Sequence, residues 1–282
     1  MTTPAEVAAA GQLACLLEVS APKPGNVSPD RHFHDTRYED FLASAVAIGP
    51  ALAQAHAQPL GATIRRAVED TLRWTRSNTN LGIVLLLAPL ARAALLQGNS
   101  LRDRVHHVLS TTTVADATEV YAAIRSARPG GLGHSEAEDV AGAPSVSLRD
   151  AMGLAAERDA VAREYVTDFA LTFGTGVPAL LAARREGLAW TDAAVETFLA
   201  LLATGPDTHI ARKLGADEAE LVTLRAREVR AAGGARSAAG RKALAELDRE
   251  LRDPRNRRNP GATADLTCAA LFVVILEGGW DR

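Results

Sequence analysis

Residues 81–96 read Leu-Gly-Ile-Val-Leu-Leu-Leu-Ala-Pro-Leu-Ala-Arg-Ala-Ala-Leu-Leu, an apolar run with a single charge. It shows no period-two alternation, so it does not read as a half-buried strand. A helix that is apolar on nearly every side is buried on nearly every side. Residues 266–275, Leu-Thr-Cys-Ala-Ala-Leu-Phe-Val-Val-Ile, make a second segment of this kind. Both fall short of the ~20 apolar residues that span a bilayer. They are expected to form the buried centre of a helical bundle.

Outward from these two, helical periodicity continues. Tyr38, Phe41, Leu42, Ala45 and Ile48 share one helix face, as do Val161, Tyr165, Phe169 and Phe173. The pattern predicts helices at 5–19, 38–57, 60–76, 81–97, 101–110, 114–127, 148–172, 176–186, 191–204, 207–213, 216–232, 237–252 and 263–277. Thr113–Asp116 and Ser147–Asp150 have the spacing of capping boxes that open helices. Three segments, 21–36, 127–147 and 253–262, are rich in Gly, Pro, Asn or Asp and break the pattern. The fold class expected is all-α, a single multi-helix domain over residues 1–282.

Composition agrees. Of the 282 residues, 47% are apolar and 23% charged, as in an ordinary globular protein. Aromatic residues are only 4%, so Ala, Leu and Val must build the core. The net charge of −3 gives no basic field for nucleic acid. The first residues lack the basic and apolar regions of a signal peptide, so a cytoplasmic protein with neither membrane nor nucleic-acid partner is expected. Cys15 and Cys268 sit in apolar helical runs and read as buried thiols. A homodimer is left open.

Polar residues collect at helix ends. They include Lys23, Gly25, Asp35, Asn78, Thr79, Asp207, Gly261 and Asp265. Helix N-termini present free N–H groups and hold phosphate, and Asp residues there can hold Mg²⁺ beside it. Asp and Asn are also the usual N-caps, and for any one of these residues capping is the simpler reading.

The wording of these segments resembles the triphosphoribosyl-dephospho-CoA synthase family. Ala21-Pro-Lys-Pro-Gly25 is similar to its "TPKPGLVD", and Phe41-Leu-Ala-Ser44-Ala45 to its "FxxSA". Asn78-Thr79-x-x-Gly82 resembles "NTHKG", Asp207-Thr208 resembles "DTN", and Pro260-Gly261-x-x-Ala264-Asp265-Leu266 resembles "GGxADLLA". The matches run in family order. The resemblance implies an all-α enzyme that joins the ribose C1 of ATP to the 2′-hydroxyl of 3′-dephospho-CoA and expels adenine. It implies Asp35, Asp207 and Asp265 as catalytic residues and Mg²⁺ ligands. It implies Lys23, Gly25, Asn78, Thr79, Gly82 and Gly261 as substrate and phosphate contacts.

The departures are specific. Asn80-Leu81 replaces the His-Lys of "NTHKG", Phe33-His34-Asp35-Thr36 stands for "GAHxDM", and His134-Ser-Glu136-Ala137 matches "RGEA" only loosely. Arg257 and Arg258, with Arg255, could clamp a phosphate in place of the missing lysine. His32 and His34 flank Asp35, and His209 follows Asp207 closely enough to line the same pocket. The Gly130–Gly133 run lacks the strand a dinucleotide fingerprint needs and reads as a loop or lid. Two other activities fit the same residues: phosphoribosyl transfer from phosphoribosyl pyrophosphate to a pterin-type acceptor, and Mg²⁺-dependent hydrolysis of ribosyl linkages. A non-catalytic helical scaffold is the third alternative.

Overall fold

The computed structural model describes residues 2–130 and 137–281. Gly131–Gly133, His134 and Glu136 lie outside the described residues. Among those described there are fifteen α-helices and no strand beyond an isolated bridge between Ser28 and Arg31. The fold is all-α, as the sequence predicts. Where the sequence reads as one domain, residue contacts group the chain into two compact units, 1–15 with 40–170, and 16–39 with 171–282.

The first unit holds α1 (Pro4–Ser20) up to Cys15, α2 (Tyr38–Ala47) from Asp40, α3 (Gly49–Ala53), α4 (Leu60–Leu72), α5 (Leu81–Ala94), α6 (Leu101–Ser110), α7 (Val114–Ala127), α8 (Leu148–Ala155) and α9 (Ala160–Val166). Helix α5 is its buried centre and packs against α3, α4, α6 and α9. Pro89 lies inside α5 and cannot donate to the Leu85 carbonyl four residues back. The hydroxyl of Tyr165 on α9 donates to that carbonyl instead, at 2.7 Å. Tyr165 is fully buried, and burial holds its phenol above the usual range. The helix expected at 38–57 is interrupted at Ile48, with Pro50 opening α3. Val46, whose carbonyl Pro50 cannot serve, receives a hydrogen bond from Gln12 Nε2 at 3.0 Å. The helix expected at 148–172 is likewise broken, because Asp159 caps α9 by accepting from the Val161 and Ala162 amides.

The second unit holds residues 16–39 and α10 (Val177–Arg185), α11 (Trp190–Leu202), α12 (Thr208–Leu214), α13 (Ala216–Ala231), α14 (Ala238–Leu251) and α15 (Gly261–Leu276). Helix α15 is its apolar centre and packs on α10, α11 and α12. A single π-helical turn, Thr172–Gly176, precedes α10. A Cβ at Gly176 would lie 2.8 Å from that of Ala270, so glycine is what lets α15 come this close. Cys15 and Cys268 are buried thiols. No helix among the described residues is long and apolar enough to cross a membrane.

Candidate active site

The proline-glycine segment after α1 is seated within the second unit. Gly25 has φ +74° and donates its N–H to Asp248 Oδ1 at 2.9 Å. A Cβ there would lie 2.9 Å from Leu251 Cβ and 3.2 Å from Pro260 Cδ, so the turn is pressed against the end of α14 and the start of α15. Arg252 ties the same turn down, donating to Asp248 at 2.7 Å and to the Asn26 carbonyl at 2.9 Å. Gly25 therefore fits a backbone approach, and its amide is not available to phosphate as the resemblance implies.

Lys23 is a second correction. Its side chain has no exposure; Nζ lies 2.9 Å from Glu18 Oε1 and also donates to the Glu18 and Ala21 carbonyls. An ammonium that spends its hydrogens inside the fold does not pair a donor phosphate. Its place in the turn is structural.

Asp207 caps α12. Its Oδ1 accepts from the His209 and Ile210 amides, and its Oδ2 from the amide and hydroxyl of Thr263 at 2.8 and 2.7 Å. Burial raises its pKa above the carboxylate range, and these hydrogen bonds draw it partly back. With both oxygens so engaged, Asp207 ties the α12 turn to the first turn of α15 and is not placed to act as metal ligand or base. Asp35 is exposed; its Oδ1 accepts from Thr36 Oγ1 at 3.2 Å, and His34 Nε2 lies 3.7 Å from its Oδ2. His34 also meets the Asn256 amide at 3.0 Å, which brings the Asp35 loop to the segment before α15, while His32 Nδ1 accepts from the Tyr38 amide. Asp265 is half-buried on α15, four residues on from Gly261. Among the described residues no three His, Cys, Asp or Glu side chains come together to hold a metal ion. Asp35, Asp207 and Asp265 thus do not form the three-carboxylate Mg²⁺ site implied by the resemblance.

The arginines before α15 are also engaged. Arg258 pairs with Glu218 at 2.7 Å and donates to the Glu250 carbonyl. Arg257 lies 3.6 Å from Asp253 and is half-exposed. Asp253 accepts from the backbone amides of Arg255, Arg257 and Arg258, which fixes the loop. Arg258 is thus already paired with a carboxylate where the clamp reading needs it for phosphate.

What gathers at the start of α15 is different. A Cβ at Gly261 would lie 2.6 Å from His209 Nδ1, so the histidine ring occupies the space a side chain would need. Burial, with repulsion from Lys213 and Arg212, lowers the His209 pKa to about 3, and the ring is neutral. Its Nε2 is buried with no hydrogen-bond partner, and so is Oδ1 of Asn259, whose backbone carbonyl accepts from the Gly261 amide at 2.9 Å. Lys213, one turn after His209, is half-buried and within electrostatic reach of Asp253, Asp35 and Asp207. Burial first, and Arg212 next, pull its pKa below the lysine range. Sequence reasoning missed Lys213 and Asn259. A lysine in the last turn of a helix ordinarily answers the helix dipole, and nothing in its spacing sets Lys213 apart.

The start of α5, in the first unit, is a separate polar cluster. Thr79 is buried and its hydroxyl lies 2.5 Å from that of Ser44, whose own carbonyl partner is Asp40. Asn80 donates to Thr71 at 3.1 Å, and exposed Asn78 accepts from the Leu81 amide at 3.1 Å. Gly82 follows on α5. Ser77, Asn78, Thr79, Asn80 and Leu81 line one small pocket with Val68 and Thr71. Of the residues the resemblance implies here, Asn78 is exposed, and Thr79 is held by Ser44.

An all-α chain whose polar residues mark the starts of two buried helices has the architecture of a known transferase family. The model of the family described as CitG, ATP:dephospho-CoA triphosphoribosyl transferase, matches residues 4–282, and the chain belongs to that family. A Stutzerimonas stutzeri protein provisionally named 2-(5''-triphosphoribosyl)-3'-dephosphocoenzyme-A synthase is 37% identical over 98 residues, covering 35% of this chain and 33% of that protein. A relative of the same provisional name from Pseudomonas savastanoi is 35% identical over 117 residues, covering 42% and 38%. The matched segment thus spans little more than a third of these relatives' length. A solved structure from Archaeoglobus fulgidus, provisionally named a triphosphoribosyl-dephospho-CoA synthase, superposes with a TM-score of 0.65 at 28% identity, covering 84% of this chain and 99% of that one.

Proposed function

We propose that the chain transfers the triphosphoribosyl group of ATP to the 2′-hydroxyl of 3′-dephospho-CoA and releases adenine. The observation that carries this reading is the family match, which runs over residues 4–282 and so includes every segment of the resemblance. In the reaction the ribose C1–N9 bond breaks and its electron pair leaves on adenine. The acceptor oxygen bonds to C1 through a transition state of oxocarbenium character, as in glycoside chemistry. The hydroxyl proton passes to a carboxylate, and adenine gains a proton as it departs.

Asp207 is committed to its hydrogen bonds, and Asp265 and Asp35 are the two other carboxylates in the segments of the resemblance. We assign the base to Asp265, half-buried in the second turn of α15. We place Asp35, exposed beside His34, at the substrate's approach. Mg²⁺ would come as a companion of the donor's phosphates, since it is commonly held by one or two carboxylates with substrate phosphate and water. The substrates are cytoplasmic small molecules, and we place the chain there.

The test is product analysis. Protein is incubated with ATP, Mg²⁺ and dephospho-CoA and the mixture resolved by chromatography with mass detection. Free adenine and an acceptor heavier by one triphosphoribosyl unit are expected. Adenine with unmodified dephospho-CoA would mean hydrolysis, and no adenine would exclude ATP as the ribosyl donor. Asp265→Asn should abolish turnover with the helical circular dichroism intact; loss of the fold would assign Asp265 a structural role instead.

A further inference from the structure

We propose that Lys213, rather than Lys23, is the cation that holds the donor's phosphates, with His209 and Asn259 as further contacts at the start of α15. The identity of the donor rests on the triphosphoribosyl-transfer reading, but the phosphate does not.

Three observations converge. First, Lys213 is half-buried on α12, yet among the described residues no carboxylate lies within the 4.0 Å of a salt bridge. A partly desolvated ammonium gains from an opposite charge, and Lys23 in the same unit shows what a paired one looks like. Second, His209 and Lys213 are four residues apart and so share a face of α12. That face meets α15 at Gly261, where any side chain would collide with the His209 ring. Third, His209 Nε2 and Asn259 Oδ1 are buried with no partner. Buried polar atoms are nearly always hydrogen-bonded, and an unmet pair beside one helix start calls for a partner from outside the chain. A neutral imidazole can donate to a phosphate oxygen, and Asn259 Oδ1 needs a donor such as a ribose hydroxyl. The first turn of α15 adds its positive dipole end, although the Gly261 and Thr263 amides are already engaged by Asn259 and Asp207.

Calorimetric titration of the full chain with inorganic tripolyphosphate and with Mg-ATP tests this. Lys213→Gln should weaken both by roughly ten- to a hundredfold, the loss expected of one charge-assisted contact, with unchanged circular dichroism. Lys213→Arg should recover most of the affinity, and the KM for dephospho-CoA should stay within about twofold. Asn259→Ala should weaken Mg-ATP and leave tripolyphosphate unchanged; it keeps the proposal testable if Lys213→Gln folds poorly. Wild-type affinity in Lys213→Gln, or a wild type that takes up neither ligand, overturns the proposal. Lys213-dependent tripolyphosphate binding without adenine release would uphold it and remove the activity reading instead.

Discussion

Helices α5 and α15 are alike in composition and unlike in how their polar exceptions are treated. The backbone break that Pro89 makes in α5 is answered by Tyr165, which supplies the missing hydrogen bond to Leu85 from within the same unit. At the start of α15 the reverse holds: His209 Nε2 and Asn259 Oδ1 are buried and unanswered. An unpaired buried polar atom costs roughly 1–3 kcal/mol, and two of those the fold keeps stand at this one helix start. On the proposal made above, the contrast separates polar residues that hold the chain together from those that await a ligand.

The same division runs through the second unit. Lys23 and Asp207 stand in the family's signature segments, and both are internally satisfied. The largest expected effect is therefore at Lys23. Lys23→Met, which strands the buried Glu18 charge, should destabilise the fold by about 3–5 kcal/mol in chemical denaturation. A fully folded variant with impaired ATP binding would restore Lys23 to the site.

The next effect depends on pH. His209 is held neutral to about 3 in the folded chain, while the unfolded chain takes up a proton near 6.5. Between these values the unfolded state binds more protons, so stability must fall as pH drops from 6.5 toward 3, by several kcal/mol at the low end. His209→Asn should lack this component. Denaturation of both proteins across that window gives it by difference, and parallel curves would show that the ring is hydrated and protonates in place.

Tyr165→Phe comes third. It leaves the Leu85 carbonyl orphaned and should cost about 1–3 kcal/mol with activity retained below the melting transition. The smallest effect is at Thr263→Val, which removes the hydroxyl's bond to Asp207 and keeps the backbone one. About 1 kcal/mol is expected in thermal or urea melts.

Much of the fold is legible in the chain. The two apolar runs became the buried helices, and Thr113 with Asp116 forms the capping box its spacing predicts. The interruptions at residues 48 and 156–159 were missed because Ala-rich sequence on both sides reads as continuous helix; their causes, Pro50 and the Asp159 cap, are local, and the periodicity outweighed them. The polar helix ends of the candidate site were legible, and the partners that engage them were not. Asp207 is the N-cap that its position alone suggested. Lys23 stood out by its proline-flanked turn, but its partner Glu18 lies on the preceding helix, where it looks like an ordinary surface carboxylate. Lys213 and Asn259 carry no motif, and only burial without partners marks them.

Adenine release by Asn259→Ala and Tyr165→Phe, measured side by side at a temperature where both are folded, tests the contrast most directly. The account predicts near wild-type turnover for Tyr165→Phe and a loss of tenfold or more at fixed ATP for Asn259→Ala. Turnover retained in Asn259→Ala and lost in Tyr165→Phe would contradict it, and would move the site away from the start of α15.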